Sequence, residues 1–240
     1  MEEHKLFLEF YLGALMNSPE GAELQKTLES TIEEERLCLE VFKKQISHCL
    51  RQMYLIDMRV SEKGPTKDIM LKRRAFEEQQ TILNVAGLAQ QCNYETKGLQ
   101  LLLYFEKNNN ARTRIAIDAS VMMYEWCEKL LRVSGKQFQD ITKRLLPQSD
   151  FVSINVARKK VSDFFKNEKW ELHKIRNNVG AHRDDDFMKQ MEVIDEMSWS
   201  DTIERFHEFE KAMIEYGKSL KPLMDAGLHQ IADSFNNKTL

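Results

Sequence analysis

The stretch that decides the fold runs from residue 20 to residue 60 and reads EGAELQKTLESTIEEERLCLEVFKKQISHCLRQMYLIDMRV. Within it, positions at alternating steps of four and three residues are apolar, with Glu35 the one polar exception. These positions are Leu28, Ile32, Glu35, Leu39, Phe42, Ile46, Cys49, Met53, Ile56 and Val60. Such spacing places its members on one side of a helix of roughly 60 Å. The stripe indicates the core of a helical bundle, and a dimerisation seam is the alternative.

The rest of the chain has the composition, the helix-start signals and the turn signals of long helices joined by short turns. Its 240 residues include 9 Gly and 4 Pro, and 30% are charged. Ser18 and Pro19 predict a helix start, and residues 62–66 form the clearest turn signal. A second helix is predicted from that turn to about Cys92. The stretch Gly98–Phe105 fits a buried strand or a helix, and its helical neighbours favour helix.

These patterns predict an all-α fold: an elongated helical bundle of about seven to nine helices, with one long helix in the N-terminal half. We see no repeat and no break in composition, so residues 1–240 are interpreted as a single domain.

The net charge and the cysteine spacing bear on whether the protein binds nucleic acid, forms disulfides or holds a metal. The formal net charge is −3 and the sequence pI is about 6.1, so a nucleic-acid contact requires a local basic patch. Two basic clusters, in residues 67–74 and 158–160, are typical of solvated helix surface, with RNA contact as the alternative. The cysteines lack CxxC spacing, which favours buried free thiols over a disulfide or metal site. They are Cys38, Cys49, Cys92 and Cys127.

The N-terminus does not resemble a signal peptide, because it begins with acidic and mixed charges. The apolar run Leu6–Met16 is too short to span a bilayer and contains Glu9. We therefore expect no membrane association and a cytoplasmic location.

Side chains suited to binding phosphate and transferring protons lie close together in residues 174–186, which read KIRNNVGAHRDDD. Arg176 is a forked cationic donor suited to phosphate, and His182 can exchange a proton near neutral pH. Six helical positions rotate by roughly 240°, so the two side chains would not share one helix face. Gly180 allows the helix to loosen or end between them, and the two groups can also meet their counterparts across a two-fold interface.

The motif lies at the end of a helix that has a predicted apolar stripe. That stripe comprises Trp170, Leu172, Ile175 and Val179. We expect Trp170 to anchor the core, with base stacking as the alternative.

The sequence Arg176-Asn177, four residues and then His182 resembles the signature of the HEPN superfamily, the nucleotide-binding domains of higher eukaryotes and prokaryotes. The resemblance implies a HEPN-like helical region over about residues 111–226 and a homodimer with two motifs facing a cleft. Many members are metal-independent endoribonucleases of toxin–antitoxin, phage-defence or RNA-processing systems, and others are non-catalytic.

The resemblance implies a role for each motif residue. His182 would act as general acid or base, Arg176 would bind the scissile phosphate, and Asn177 would orient the phosphate or the histidine. Arg183 and Lys174 are the candidate substrate contacts. No metal or cofactor is expected, and the implied partners are a second copy of the chain, RNA or a nucleotide, and a cognate antitoxin or other protein.

The aspartates 184–186 complicate this interpretation. They would repel a polyanion, or one of them would hydrogen-bond His182 and raise its pKa. A metal cluster of His182, these aspartates and His173 matches no known ligand spacing.

Other interpretations stay open. In a purely structural one, Arg176 pairs with a carboxylate, Asn177 or Asn178 caps the helix end, and His182 packs in the core. At the level of function, the alternatives to a ribonuclease are a non-catalytic HEPN-like nucleotide- or RNA-binding module and a helical scaffold whose 20–60 seam binds a partner helix.

Overall fold

A computed structural model describes residues 10–179 and 186–236 of the chain. The fold is an all-α helical bundle, as predicted, and the described residues contain no strand. Eight helices lie wholly within the described residues, and residues 10–16 are also helical. The eight are α1 (Pro19–Lys63), α2 (Lys67–Phe105), α3 (Asn109–Val133), α4 (Lys136–Leu145), α5 (Gln148–Asn178), α6 (Phe187–Glu196), α7 (Trp199–Ser219) and α8 (Lys221–Asn236).

The ends of the long helix α1 follow the predicted local chemistry. The Ser18 hydroxyl accepts a hydrogen bond from the backbone N–H of Gly21 at 3.0 Å, which confirms Ser18 as the cap before Pro19. At the other end, Gly64 has a φ of 78°, a left-handed conformation that glycine adopts without strain. Pro65 follows and prevents the helix from continuing. Helix α1 is 45 residues long, as the stripe in 20–60 predicted.

Helix α2 differs from the prediction in its length. We expected an end near Cys92, but the helix continues without interruption to Phe105, so the ambiguous stretch Gly98–Phe105 is helical. The Thr96 hydroxyl donates to the Cys92 carbonyl at 2.7 Å and satisfies a buried polar group inside this helix. Leu103 and Tyr104 of this stretch are buried, because they pack in a hydrophobic cluster.

The chain divides into two compact units, and each is assembled from three segments. Unit 1 comprises Met1–Arg36, Cys92–Lys129 and Lys160–Ile214, so far as these residues are described. Its first hydrophobic cluster is formed by Leu12, Leu103, Tyr104, Ala116, Trp199 and Ile203. A second cluster is formed by Ile117, Ile175, Val179 and Val193. The single domain over 1–240 stays a prediction.

Unit 2 comprises Leu37–Gln91, Leu130–Lys159 and Glu215–Leu240. Its core cluster contains Cys49, Ile56, Phe76 and Leu83. The stripe of α1 supplies further members of this cluster, which are Phe42, Ile46, Met53 and Val60. The bundle-core interpretation is therefore confirmed for this part of the stripe, since it packs inside its own unit.

A buried carboxylate ties three helices of unit 2 together. Glu78 of α2 accepts hydrogen bonds from Arg74 Nε at 2.9 Å and Gln230 Nε2 at 2.7 Å, and from Arg144. Burial alone would raise the pKa of Glu78, but these donors stabilise the charged form and lower the pKa below its ordinary value. The carboxylate is thus buried at little cost, because its lone pairs are occupied.

None of the described helices has the length and apolar character required to cross a bilayer.

Adjacent leucines in α2 provide a test of the fold. Leu103 is fully buried and Leu102 is 53% exposed. We expect Leu103→Ala to lower the free energy of unfolding by about 2–5 kcal/mol, because it leaves a cavity. Leu102→Ala should change it by about 0.5 kcal/mol or less. Urea denaturation followed by circular dichroism measures both, and equal effects of the two substitutions would contradict the placement of this helix.

The cysteines give a second test. All four are free thiols, but only Cys49, Cys92 and Cys127 are buried, so the expectation that Cys38 is buried is wrong. Burial raises the pKa of Cys127 to about 12 and also raises those of Cys92 and Cys49, which favours the protonated, less reactive form of these thiols. We expect a disulfide reagent at pH 8 to label one thiol rapidly and the other three only after unfolding.

The control for this test is Cys38→Ser, which should remove the rapid phase. A rapid phase that persists in this variant would show that a thiol assigned to the core is accessible.

Candidate functional site

The end of α5 carries the described part of the motif and is fixed to unit 1 by its apolar side. Leu172, Ile175 and Val179 are buried, and the last two pack with Ile117 and Val193. Because these residues recur at three- and four-residue steps, they hold one face of the helix against the core. The residues between them are left at the unit's surface, and they include Arg176 and Asn177.

Trp170 does not belong to this apolar stripe. It is 76% exposed, so its prediction as a core anchor is wrong. The reason is the helical period, because Trp170 lies roughly 160° around the axis from Leu172. Trp170, His173 and Asn177 follow one another at steps of three and four residues and therefore share one face of α5. The structure thus brings an exposed indole to the same face as the motif asparagine.

Arg176 is held by two neighbouring residues of α3. Its Nε lies 3.5 Å from Oε1 of Glu125, and its guanidinium carbon lies 5.2 Å from the ring centroid of Tyr124. The Arg176 side chain is only 22% exposed. Its Nε is shielded from solvent and makes no hydrogen bond within the described residues. Glu125 therefore balances the charge of Arg176 without satisfying its donors.

Asn177 connects Arg176 to a histidine that the motif does not contain. Nη1 of Arg176 donates to Oδ1 of Asn177 at 3.4 Å, and Nδ2 of Asn177 lies 3.0 Å from Nε2 of His173. The amide is a donor, so the imidazole accepts this bond through an unprotonated nitrogen. The ring of His173 also lies 5.8 Å from that of Tyr124, which in turn packs edge-on against Phe165 at 5.3 Å. We call Tyr124, Phe165, His173, Arg176 and Asn177 the arginine cluster.

Sequence reasoning missed His173 as a partner of the motif. The available signal was its spacing of four residues from Asn177, which places the two side chains next to each other on a helix. Tyr124 and Glu125 gave no signal at all, because they are about fifty residues away in the chain.

Lys174, a predicted substrate contact, points away from Arg176. It lies roughly 160° around the helix from Arg176, and its Nζ is 2.6 Å from Oε2 of Glu196. This hydrogen bond is the main reason that the pKa of Lys174 is raised above its ordinary value. The structure does not bring Lys174 and Arg176 together.

The remaining predicted residues of the motif, His182, Arg183, Asp184 and Asp185, lie outside the described residues. Asp186 is described, and its carboxylate caps α6 by accepting from the backbone N–H groups of Met188 and Lys189. The amide of Asn178 donates to the carbonyl of Lys174 at 2.7 Å, a bond back to its own helix, so the capping role considered for Asn178 stays a prediction. Over the part of the chain that the structure describes, no three His, Cys, Asp or Glu residues are placed to hold a metal ion.

Four cations of the two basic clusters make contacts within unit 2. Lys72 pairs with Asp68, Arg73 with Asp57 and Glu77, and Arg74 with Glu78. Arg158 donates to the hydroxyl of Ser134 and to the carbonyl of Leu131. These cations act within the fold, and the arginine cluster is the better candidate for a functional site.

Comparison of the chain with protein-family models, with curated proteins and with solved structures finds no significant match. The case for a function therefore depends on the sequence motif and on the geometry around Arg176.

Proposed function

We propose that this protein is a HEPN-like, metal-independent endoribonuclease of a stress or phage-defence type system. The observation that carries the proposal is the placement of Arg176 and Asn177. Both occupy the last turn of a helix whose opposite face is buried, both are partly exposed, and Arg176 is held by contacts with Tyr124 and Glu125. A phosphate-binding arginine requires such support, because a fixed guanidinium loses little freedom when it binds an anion.

The residues fit a self-contained cleavage of the RNA backbone. His182 takes the proton of a ribose 2′-hydroxyl, and the 2′-oxygen attacks the adjacent phosphorus. The bond from phosphorus to the 5′-oxygen breaks, and that oxygen takes a proton from the general acid. The products are a 2′,3′-cyclic phosphate and a 5′-hydroxyl, so no water is consumed. Arg176 stabilises the charge that develops on the phosphate oxygens, and Asn177 orients the phosphate.

A homodimer completes this scheme. A second motif across a two-fold cleft supplies the second histidine, so that one imidazole acts as base and the other as acid. Trp170 lies on the same helix face as Asn177 and is 76% exposed, which suits it to stack on a base beside the scissile phosphate. Arg183 and Lys174 are retained as substrate contacts in this proposal, with Lys174 contacting a part of the RNA away from the phosphate that Arg176 binds.

One observation favours the non-catalytic alternative, a HEPN-like module that binds RNA or a nucleotide. Two of the predicted phosphate contacts already have carboxylate neighbours, Arg176 with Glu125 and Lys174 with Glu196. These carboxylates oppose the additional negative charge that develops on the phosphate in the transition state, so they disfavour catalysis more than they disfavour binding. In this alternative the protein binds RNA or a nucleotide, or neutralises a partner enzyme, without turnover.

The ribonuclease proposal is tested first by cleavage of a mixed RNA substrate in excess EDTA. The wild-type protein should cut it and leave cyclic phosphate ends. His182→Ala and Arg176→Ala should each lower the rate about 100-fold or more, because they remove the acid–base group and the phosphate donor. Gel electrophoresis and end-group analysis measure both effects.

Matched controls are His229→Ala and Arg59→Ala, which alter exposed side chains outside unit 1. Unchanged cleavage in both motif variants would refute the ribonuclease. If the wild type does not cut RNA but binds it, and Arg176→Ala loses that binding, the non-catalytic alternative is correct.

The second prediction uses the carboxylate beside Arg176. Glu125→Gln should tighten RNA binding by about twofold to fivefold at low salt, since it removes an exposed ion-pair partner that competes with phosphate. The gain should disappear at high salt, where such charges are screened. Fluorescence anisotropy with labelled RNA measures it, and Glu128→Gln, an exposed carboxylate on the same helix, is the control. A weaker affinity in Glu125→Gln would instead make Glu125 a positioning residue for Arg176.

A further inference from the structure

Unit 2 contains a cavity that the ribonuclease proposal does not use. It has a volume of about 340 Å³, within the range of small-molecule sites, and lies between α1, α2 and α8. Its walls are mainly apolar. We call it the glutamine cavity, because Gln79 also lines it. The apolar lining comprises Cys49, Phe76, Leu83, Leu228, Ile231 and Phe235.

Aromatic rings and an uncovered mouth suit this cavity to a flat ligand. Phe76 packs edge-on against Phe235 at 6.2 Å and against His48 at 6.3 Å. Leu228 and Phe235 are each about half exposed, at 52% and 51%, although they line the cavity. A ring compound that enters here covers apolar surface that the protein alone leaves in contact with water.

One buried polar group in the lining points to the chemistry of the ligand. Gln79 is only 1% exposed, and neither its amide nitrogen nor its amide oxygen has a hydrogen-bond partner within the described residues. A buried amide without partners is costly, and native proteins keep few of them. The neighbouring Glu78 shows the usual outcome, since it accepts bonds from three side chains.

Gly227 makes room for this amide. A Cβ atom at position 227 would lie 1.8 Å from Oε1 of Gln79, so any other residue there would displace the carboxamide. The amide therefore rests against the backbone at Gly227, and within residues 10–179 and 186–236 it makes no hydrogen bond. Gln79 also lines the glutamine cavity, so its amide can reach a ligand there only by turning away from Gly227.

We propose that the glutamine cavity binds a flat, largely apolar ring compound whose edge carries an N–H next to a C=O, as in a cyclic amide. Gln79 offers one donor and one acceptor side by side, so it can make two hydrogen bonds to such an edge. A purely hydrocarbon ligand would leave both atoms of the amide unpaired. This inference is independent of the proposed function, since it concerns residues of unit 2 only.

The test uses two ring compounds of nearly the same shape. The probe is 2-quinolinone, a bicyclic cyclic amide, and the comparison compound is 2-methoxyquinoline, which lacks the N–H donor. Calorimetry with the full chain should show that 2-quinolinone binds at least about fivefold more tightly. Gln79→Leu should remove this preference, and it should fold well because it replaces an unpaired buried amide with an apolar group.

Leu228→Trp is the second variant, and it places a larger side chain at the mouth of the cavity. It should abolish binding of both compounds without unfolding the protein, because Leu228 is half exposed. Equal affinity of the wild type for the two compounds, or no binding of 2-quinolinone at millimolar concentration, would overturn the proposal. So would a preference that persists in Gln79→Leu, or binding that persists in Leu228→Trp.

Discussion

Burial of one apolar stripe on each long helix is the interaction on which the rest of this structure depends. Isolated helices have only marginal stability in water. An all-α chain therefore folds only when the apolar stripes of its helices pack against one another. In α1 the stripe that includes Phe42, Ile46 and Met53 packs in the core of unit 2. At the end of α5 the same principle fixes Ile175 and the following Val179 in unit 1. Arg176 and Asn177 are positioned as a consequence, because they lie between these two buried residues.

Several cationic side chains of this protein are paired with carboxylates close to them in the structure. Positive side chains that look available in the sequence have carboxylates beside them, as Arg73 does with Asp57 and Glu77. Arg176 follows the same pattern with Glu125, but its surroundings differ, because Tyr124 and Asn177 also contact it. The guanidinium of Arg176 is therefore largely shielded, lies beside a carboxylate and is incompletely hydrogen-bonded within the described residues. This combination distinguishes Arg176 from the surface cations and is the reason for the phosphate-binding role proposed for it.

The buried polar groups of unit 2 show two opposite outcomes of burial. Glu78 is surrounded by donors, which offset the cost of removing its charge from water. Gln79, the next residue in the chain, has no hydrogen-bond partner for its amide among the described residues and rests against Gly227. Two adjacent residues on α2 face different surroundings, and only one of them has its hydrogen-bonding capacity filled. For this reason we interpret Glu78 as a residue that stabilises the packing of three helices, and Gln79 as part of the proposed ligand site.

Local chemistry was readable in the sequence, and long-range neighbours were not. The all-α class, the cap at Ser18 and the turn around Gly64 follow from spacing and backbone preference, which act over a few residues. Helical period alone also places Trp170 opposite Leu172, although the simpler apolar grouping suggested otherwise.

Only the tertiary structure decided that α2 continues to Phe105, because its packing in unit 1 outweighs the weak local signals there. The contact of Arg176 with Tyr124 and Glu125, and that of Gln79 with Gly227, were likewise decided by tertiary structure. Each joins residues on different helices, and no pattern within one helix specifies which side chain another helix will bring beside it.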